Sequence, residues 1–559
     1  MTTLPFDIEC LDCGYRSNYH PTQPTCPMCG SAWREVRYDL PQIAADLPKK
    51  LARRPFDLWR YRELLPVQTP DPNLYLGEGG TPLIHAHNLG MMLGNNNIYI
   101  KDERQGPTTS FKDRQAAVTI AALKEAGIAD LVVAATGNVA IAYSAYAART
   151  GIKCWAFLTS LVPASKMREV AIYGTQVVKV TGSYDQTKKV ASEFAQQHDF
   201  YQDSGARSIP CVESMKTIAF EIAEQLGQPD PMVVDEVPAF KAPDWYIQAV
   251  SGGMGPIGVI KGFQEMVEMG WTDKVPAVAI IQAEGCAPMV HAWKQDRDQA
   301  LPVKNPQTLI ETLATGDPGR SYTLLRQKML AASGGAMESV TDEEAFRAIH
   351  LLAKMEGMSV EPAAAVAIAG LIKLIRSGQI KPTETVVINC TGHTMPVENN
   401  ILGDNWARNL VFPTQTAPAQ KQEEGLLAAL SHVASDRFPR IAIVDDMPEV
   451  RTLVKRILQS QGAYTLFEAS NGREAIEMIR RELPNLVILD LMMPEVDGFS
   501  VLDTLKSQPE TAEIPVIVVT AKELTPAEKE RLKGRIQSLM QKGDFMSDEL
   551  LDEVRTLLN

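Results

Sequence analysis

Short apolar segments alternate with amphipathic stretches along this 559-residue chain, and this alternation constrains its fold most strongly. It runs from residue 38 to about residue 412 and starts again over residues 438–559. The pattern predicts an α/β fold with a largely parallel sheet in each segment. The strand-like runs of the first segment include LVVAAT (131–136), CWAFLTS (154–160), QVVKVTG (176–182), DWYIQAVSGG (244–253), VAIIQAEG (278–285) and TVVINCTG (385–392).

The length predicts three or four domains. Residues 1–37 form a short cysteine-rich module, and residues 38–412 form the first α/β domain. Residues 413–437 begin with Pro, Thr, Gln and Ala, a composition that is typical of an interdomain linker. Residues 438–559 form a second α/β domain.

The formal net charge of -13 disfavours binding to nucleic acid or to an anionic membrane surface. No apolar run reaches the length of about 18 residues that a transmembrane helix needs. The first residues, MTTLPFDIEC, lack the basic and apolar regions of a signal peptide. We therefore expect a cytoplasmic protein.

Four cysteines near the start form two C-x2-C pairs, Cys10/Cys13 and Cys26/Cys29, with twelve residues between the pairs. Four thiolates at this spacing can surround one Zn²⁺ tetrahedrally, and they leave no open position for catalysis. We predict a structural zinc ribbon. The remaining cysteines are scattered, and we expect them to be buried as small apolar side chains: Cys154, Cys211, Cys286 and Cys390.

Lys112 lies in the segment SFKDR, before an alanine-rich helix predicted over residues 115–126, for which Ser110 and Thr109 are candidate caps. A charge fits poorly at the start of a buried helix, unless the amine is used to bind a cofactor covalently. Two further segments join a strand to a helix, where free backbone N–H groups bind anions. They are Thr136-Gly137-Asn138 and Ser251-Gly252-Gly253-Met254-Gly255.

Over residues 38–400 the chain resembles the fold-type-II pyridoxal-phosphate (PLP) enzymes, and threonine synthase in particular. The resemblance rests on collinear segments, which include LWRYRELLP (58–66), SFKDR (110–114), ATGNVA (135–140), KTIAFEIAEQLG (216–227) and CTGHT (390–394). It implies a two-lobed fold similar to that of the tryptophan synthase β subunit. It also implies a homodimer.

The resemblance assigns roles to single residues. Lys112 would bind PLP and move protons at the α and β carbons of the substrate. Asn138 would lie beside the phenolic oxygen of the cofactor, Thr391 beside its pyridine nitrogen, and residues 251–255 around its phosphate. Thr136 and Gly137 would bind the substrate carboxylate. The implied reaction converts O-phospho-L-homoserine and water into L-threonine and phosphate.

The sequence departs from the family pattern where the substrate phosphate is expected to bind. The family's arginine is replaced by Cys211, Val139 lacks a hydroxyl near the carboxylate site, and Gln115 replaces a small residue. Arg207 and Lys216 are the candidates to take over the role of that arginine. Three alternatives stay open: a β-replacement like that of cysteate synthase, deamination of threonine or serine, and a catalytically silent ligand sensor.

In residues 438–559, three carboxylates follow buried strands: Asp445 and Asp446 after RIAIV, and Asp490 after LVIL. Carboxylates gathered at one sheet edge favour a divalent cation. This segment resembles the response-regulator receiver domain. The resemblance implies Mg²⁺ bound by these acids and the Met492 carbonyl, phosphorylation of Asp490 by a histidine kinase or phosphotransfer protein, and switch residues Thr520 and Lys542. We expect phosphorylation to regulate the enzyme.

Overall fold

The computed structural model describes residues 6–135, 137–159, 162, 164–181, 184–227, 238–393, 439–461, 464–522, 524–541 and 547–558. The chain divides into two compact units. The first comprises residues 1–86, 97–349 and 359–396, and the second comprises residues 87–96, 350–358 and 397–559. The predicted linker, residues 413–437, lies outside the described residues.

The cysteine-rich module begins the first unit with a small antiparallel sheet in the order β2-β1-β3. Its strands are β1 (Phe6–Cys10), β2 (Arg16–Ser17) and β3 (Arg34–Tyr38). The aromatic rings of Phe6, Tyr19 and Tyr38 pack together beside it. Such a small cluster buries little apolar surface. Modules of this size therefore commonly need a bound metal to stabilise their fold.

Ten further strands make up two sheets: β4 (Leu83–His85), β5 (Ile98–Asp102), β6 (Asp130–Ala135), β7 (Lys153–Thr159), β8 (Gln176–Val180), β9 (Tyr201–Gln202), β10 (Trp245–Ala249), β11 (Ala277–Ala283), β12 (Gly335–Val340) and β13 (Val386–Cys390). One sheet has the order β12-β11-β10-β13-β5-β4, in which only the edge strand β4 is antiparallel. The other is fully parallel, in the order β8-β7-β6-β9. The predicted α/β class is confirmed.

Twelve helices between residues 40 and 376 are described: α1 (Leu40–Leu51), α2 (His87–Leu93), α3 (Lys112–Glu125), α4 (Asn138–Thr150), α5 (Ala164–Ile172), α6 (Tyr184–His198), α7 (Ile209–Gly227), α8 (Met254–Glu268), α9 (Pro288–Lys294), α10 (Arg320–Ala331), α11 (Asp342–Glu356) and α12 (Pro362–Arg376). Strands β11 and β13 are buried along their whole length, as in parallel sheets that are covered on both faces.

The predicted start of α3 needs a correction. The helix begins at Lys112, three residues before the predicted start, and its N-cap position is Phe111 without a side-chain cap. Thr109 has a φ of 59°, and the hydroxyl of Ser110 is buried without a hydrogen-bond partner. Ser110 instead pairs through its backbone with Gly392, which places the start of α3 against the end of β13.

A buried ion-pair network holds α3 in this position. The Arg114 guanidinium donates to Glu103 at 2.8 Å and to Glu221 at 2.6 and 2.8 Å. Lys101 also donates to Glu221, at 2.7 Å. Burial disfavours the ionised Glu221 carboxylate, but Arg114 and Lys101 outweigh it and lower its pKa to about 2. The network thus links β5, α3 and α7.

In the second unit the C-terminal residues form a parallel five-stranded sheet, in the order β15-β14-β16-β17-β18. Its strands are β14 (Arg440–Val444), β15 (Thr465–Ala469), β16 (Leu486–Leu489), β17 (Val516–Thr520) and β18 (Ser538–Gln541). Its helices are α13 (Pro448–Gln461), α14 (Gly472–Glu482), α15 (Gly498–Lys506), α16 (Pro526–Leu532) and α17 (Ser547–Leu558). No described helix of the protein is long and apolar enough to cross a membrane.

We predict that Glu221→Gln lowers the free energy of unfolding of the first unit by about 3 kcal/mol at pH 7, because it leaves an uncompensated buried cation. The difference from the wild type should shrink as the pH falls from about 5 toward 2, since a carboxylate with a lowered pKa stabilises the fold only while it is ionised. Six of the seven tryptophans lie in the first unit, so tryptophan fluorescence during urea unfolding reports mainly on this unit.

The matched control is Glu193→Gln, which changes an exposed carboxylate on α6. Equal urea midpoints for the two variants at pH 7 would contradict the prediction.

Candidate functional site

The site predicted around Lys112 lies at one edge of the six-stranded sheet. Strands β5, β10 and β13 are parallel neighbours, so their carboxyl ends lie side by side. The segments that follow them carry Lys112, the glycine-rich run 251–255 and Thr391. Parallel α/β sheets commonly bind ligands at this edge, where strands end and helices begin.

Lys112 is half-buried at the start of α3. Its amine lies 3.5 Å from Gln115 Oε1 and 4.4 Å from the centre of the Phe111 ring. Burial lowers the pKa of the Lys112 amine, while the Asp203 carboxylate acts in the opposite direction. A lowered pKa increases the neutral fraction of the amine, which is the form that attacks a carbonyl carbon.

Thr391 lies next to the residue that precedes this lysine. The Phe111 N–H donates to the Thr391 carbonyl at 3.1 Å, so the end of β13 is in backbone contact with the residue before Lys112. The Thr391 side chain is buried, as is the unpartnered hydroxyl of Ser110. A buried hydroxyl without a partner is rare in proteins, and it fits a place where a polar ligand group completes the hydrogen bonding.

The glycine-rich run 251–255 turns sharply into α8. Gly253 has a φ of 80°, and a Cβ atom at Gly255 would lie 2.5 Å from Gln248 Nε2. A Cβ atom at Gly252, in contrast, would meet open space. The loop therefore packs closely against the protein on one side and is open on the other, at a helix N-terminus that favours an anion such as a phosphate.

A second group of polar side chains surrounds Gly137 and Asn138, at the start of α4. The Asn138 amide donates to Glu361 at 3.0 Å and accepts from the Lys166 amine at 2.9 Å. Gly137 has a φ of 136°, and a Cβ atom there would lie 2.9 Å from Lys166 Cδ. Of the predicted residues in this loop, Thr136 lies outside the described residues.

Neither candidate for replacing the missing arginine lies free beside Lys112. The Lys216 amine is buried and pairs with Glu213 and Glu265, each at 2.7 Å. Arg207 is exposed on a 3₁₀ turn, so its assignment to the substrate stays a prediction. Cys211 itself is fully buried, like the other three scattered cysteines. That part of the sequence interpretation is confirmed.

The four N-terminal cysteines come together. Their sulfur atoms all lie within 4.8 Å of one another, with Cys10–Cys29 at 3.5 Å and Cys13–Cys26 at 3.7 Å. Zinc–sulfur bonds of about 2.3 Å in a tetrahedron require sulfur–sulfur distances of about 3.8 Å. Gly14 and Gly30 have φ of 69° and 74°, the turn conformation that each C-x2-C pair needs. The cluster fits a zinc ribbon.

In the C-terminal sheet, carboxylate oxygens of Asp445, Asp446 and Asp490 lie within 4.8 Å of one another. The Met492 N–H donates to Asp490 at 3.1 Å, and Thr520 is buried at the end of β17. This cluster of oxygen ligands suits Mg²⁺. The predicted switch residue Lys542 lies outside the described residues.

Comparison with known proteins identifies both parts of the chain. The family model of pyridoxal-phosphate dependent enzymes matches residues 74–392. The threonine synthase of Methanocaldococcus jannaschii is 36% identical over 388 residues, which cover 69% of this chain and 91% of that protein. The chain belongs to the threonine synthase family of PLP-dependent enzymes. The model of the response regulator receiver domain matches residues 441–555, so this enzyme carries a receiver domain.

Further relatives are similar. The threonine synthase of Methanosarcina acetivorans is 34% identical over 391 residues, which cover 70% of this chain and 92% of that protein. Among solved structures, threonine deaminase isoform 2 from Solanum lycopersicum has a TM-score of 0.48 and 21% identity, and the match covers 57% of this chain and 81% of that chain.

The residues at the sheet edge fit the PLP cofactor of this family. When bound, PLP supplies the electron sink for reactions at the α, β and γ carbons of an amino acid. The open side of the glycine-rich run would accept its phosphate, and Lys112 would offer an amine whose pKa is lowered by burial. The buried side chains of Ser110 and Thr391 would be the polar partners for its ring.

Two polar side chains of the site, Lys166 and Glu361, are absent from the sequence-based assignment. Glu361 lies 223 residues from its partner Asn138, and Lys166 lies 28 residues from it. Glu361 lies in VEPAAAVAIAGL (360–371), a further segment that resembles the family, and this resemblance was the signal that could have found it. Neither residue lies in a motif whose spacing in the sequence indicates a chemical role.

We predict one zinc ion per chain in protein that is produced with zinc in the medium, as measured by inductively coupled plasma mass spectrometry. Cys26→Ser should lose it, because three thiolates do not complete the tetrahedral set. Cys154→Ser, which alters a buried cysteine outside the cluster, serves as the control and should keep the metal. A zinc content of the wild-type protein that is no higher than that of the buffer would refute the prediction.

Proposed function

We propose that this chain is a PLP-dependent lyase that acts on an L-amino acid carrying a substituent at Cβ or Cγ, and that its receiver domain regulates it. The observation that carries the enzymatic part is the Lys112 amine, with a pKa lowered by burial, at the sheet edge where the glycine-rich run opens. A ligand sensor has no need for such a reactive amine.

The residues around Lys112 have distinct proposed tasks. The Lys112 amine takes and returns the proton at the α carbon, and at the next carbon along the side chain. Asn138, which is fixed by Glu361 and Lys166, orients the bound cofactor ring. The N–H groups at the start of α4, together with the buried Lys166 ammonium, attract the substrate carboxylate.

Because the chain belongs to the threonine synthase family, the first reaction to test is the conversion of O-phospho-L-homoserine and water into L-threonine and phosphate. The replacement of the expected arginine by Cys211 favours a second candidate, the deamination of L-threonine or L-serine to a 2-keto acid. A third reaction to test is a β-replacement on O-phospho-L-serine, like that of cysteate synthase. All of these reactions use the same lysine.

We expect purified, PLP-loaded protein to turn over at least one amino acid of this set, with threonine, phosphate and 2-keto acid measured in the same tube. Lys112→Ala should lower the turnover number by about 10³-fold, because it removes the general base. A yellow wild-type protein that converts none of these amino acids would exclude the lyase and favour the ligand-sensor alternative.

We further propose that Asp445, Asp446, Asp490 and the Met492 carbonyl bind Mg²⁺ and that a histidine kinase or phosphotransfer protein phosphorylates Asp490. The clustering of the three carboxylates supports this proposal. We propose a cytoplasmic location, because four reduced thiols of a zinc ribbon persist in a reducing compartment. The homodimer implied by the family resemblance stays a prediction.

Phosphorylation of Asp490 should change kcat/KM of the enzyme by at least about fivefold, the lower end of typical allosteric coupling. The assay compares protein treated with acetyl phosphate in the presence and absence of Mg²⁺. Asp490→Asn should not respond, while the control Glu477→Gln, an exposed acid on α14, should respond like the wild type. A response that survives in Asp490→Asn would contradict this proposal.

A further inference from the structure

A tight loop precedes Lys112, and its backbone conformation is unfavourable. It comprises residues 106–110, Gly-Pro-Thr-Thr-Ser, and we call it the 106–110 loop. Thr109 has a φ of 59°, in the left-handed region that β-branched residues such as threonine rarely adopt. A strained conformation of this kind persists only where the surrounding contacts hold it, and it commonly marks a functional site.

Asp113, in the first turn of α3, holds this loop from one side. Its carboxylate accepts hydrogen bonds from the Thr108 N–H at 2.9 Å and from the Thr108 hydroxyl at 2.6 Å. A Cβ atom at Gly106 would clash with Asp113 Oδ2, so the first residue of the loop also packs directly on the carboxylate. Asp113 therefore fixes the chain on the N-terminal side of the strained Thr109.

The segment after β13 holds the loop from the other side, through the backbone. The His393 N–H donates to the Thr109 carbonyl at 3.1 Å, and Ser110 forms a backbone bridge with Gly392. These contacts place Ser110 beside the residue that follows Thr391, which we predict to lie at the cofactor ring. The loop is thus clamped between the start of α3 and the end of β13.

The Ser110 hydroxyl is the polar group of this loop that lacks a protein partner. Ser110 is only 2% exposed, and its hydroxyl forms no hydrogen bond with any described residue. Buried hydroxyls without partners are rare, because their desolvation is not compensated. A bound group that completes the hydrogen bonding would explain this one, and PLP is the ligand that the neighbouring residues fit.

The Asp113 carboxylate is unfavourable for the fold by itself. Burial raises the pKa of Asp113 to about 7, and the carboxylates of Glu78 and Glu103 act in the same direction, while the hydrogen bonds from Thr108 lower it. No cation is among the groups that shift this pKa. A buried carboxylate without a compensating cation destabilises a protein. Its presence is explained if the loop that it holds has a function.

We propose that Asp113 is a positioning residue for the cofactor: it holds the 106–110 loop in the strained conformation in which the Ser110 hydroxyl contacts bound PLP. Asp113 acts through Thr108 and does not itself touch the cofactor. The inference goes beyond the proposed function, because it concerns how the cofactor is held and applies whichever amino acid the enzyme converts.

The test measures the affinity of the full-length protein for PLP, by absorbance titration after the cofactor has been removed. Asp113→Asn replaces one acceptor oxygen by an amide NH₂ group, so one hydrogen bond from Thr108 is lost. It should lower the affinity at least about tenfold, the effect of one charge-assisted hydrogen bond. Ser110→Ala should lower it by a similar factor. Asp46→Asn, an exposed aspartate on α1, is the control and should bind PLP like the wild type.

The double variant Asp113→Asn/Ser110→Ala distinguishes positioning from general damage. If Asp113 acts through Ser110, the double variant should bind PLP at most about twofold more weakly than the weaker of the two single variants, because coupled residues are not additive. Independent effects would instead multiply to about a hundredfold loss. That outcome would overturn the inference and make Asp113 a merely structural residue.

The circular dichroism of bound PLP at saturating concentration is a second readout, since it depends on the orientation of the ring. It should change in Asp113→Asn and in the milder variant Thr108→Val, which removes only the hydroxyl partner. An unchanged signal in Thr108→Val, together with wild-type affinity for PLP, would overturn the inference. Should Asp113→Asn fail to fold, Thr108→Val and its double variant with Ser110→Ala supply the same comparison.

The inference and the proposed function can fail separately. A wild type that binds PLP but shows additive losses in the double variant overturns the inference alone and leaves the lyase standing. A wild type that binds PLP and converts no amino acid excludes the lyase, while the affinity measurements still decide the role of Asp113. A wild type that binds no PLP overturns both.

Discussion

The buried guanidinium of Arg114 is the contact on which the geometry of the cofactor site depends. It lies two residues after Lys112 and is held by Glu103, the residue after β5, and by Glu221 in α7. Both carboxylates and the guanidinium are almost fully buried, so the loss of one partner would leave a charge without compensation, at a cost of about 3–5 kcal/mol. This penalty fixes the start of α3, and with it the Lys112 amine, relative to the sheet.

Both domains gather their reactive groups in the same way. In the enzyme, Lys112, the glycine-rich run and Thr391 follow the adjacent parallel strands β5, β10 and β13. In the receiver domain, the three aspartates follow the adjacent strands β14 and β16. Parallel strands end at a common edge, where helices begin and backbone N–H groups are free. The two edges carry different charges, and these favour an anionic cofactor in one domain and a cation in the other.

Much of the site was predictable because short motifs carry it. The SFKDR segment, the two C-x2-C pairs and the three aspartates each combine a chemical group with a local backbone geometry. The helix cap was predicted wrongly, because Ser110 pairs with Gly392 through its backbone, and this long-range bridge overrides the local capping preference. Lys166 and Glu361 were not predicted as site residues, because only their contacts with Asn138 place them at the site. No spacing in the sequence indicates these contacts.

The sequence by itself determined the fold class and the family, and it predicted the reactive groups, since these depend on periodicity and on residues close together in the chain. It also revealed that Cys211 stands where the family pattern has an arginine. Only the tertiary structure decided what surrounds that position: Asp203, eight residues before it, accepts from the thiol, and Gln115, 88 residues from Asp203, connects the pair to Lys112. Contacts between residues so far apart in the sequence form only when the chain folds, so no local pattern in the sequence reveals them.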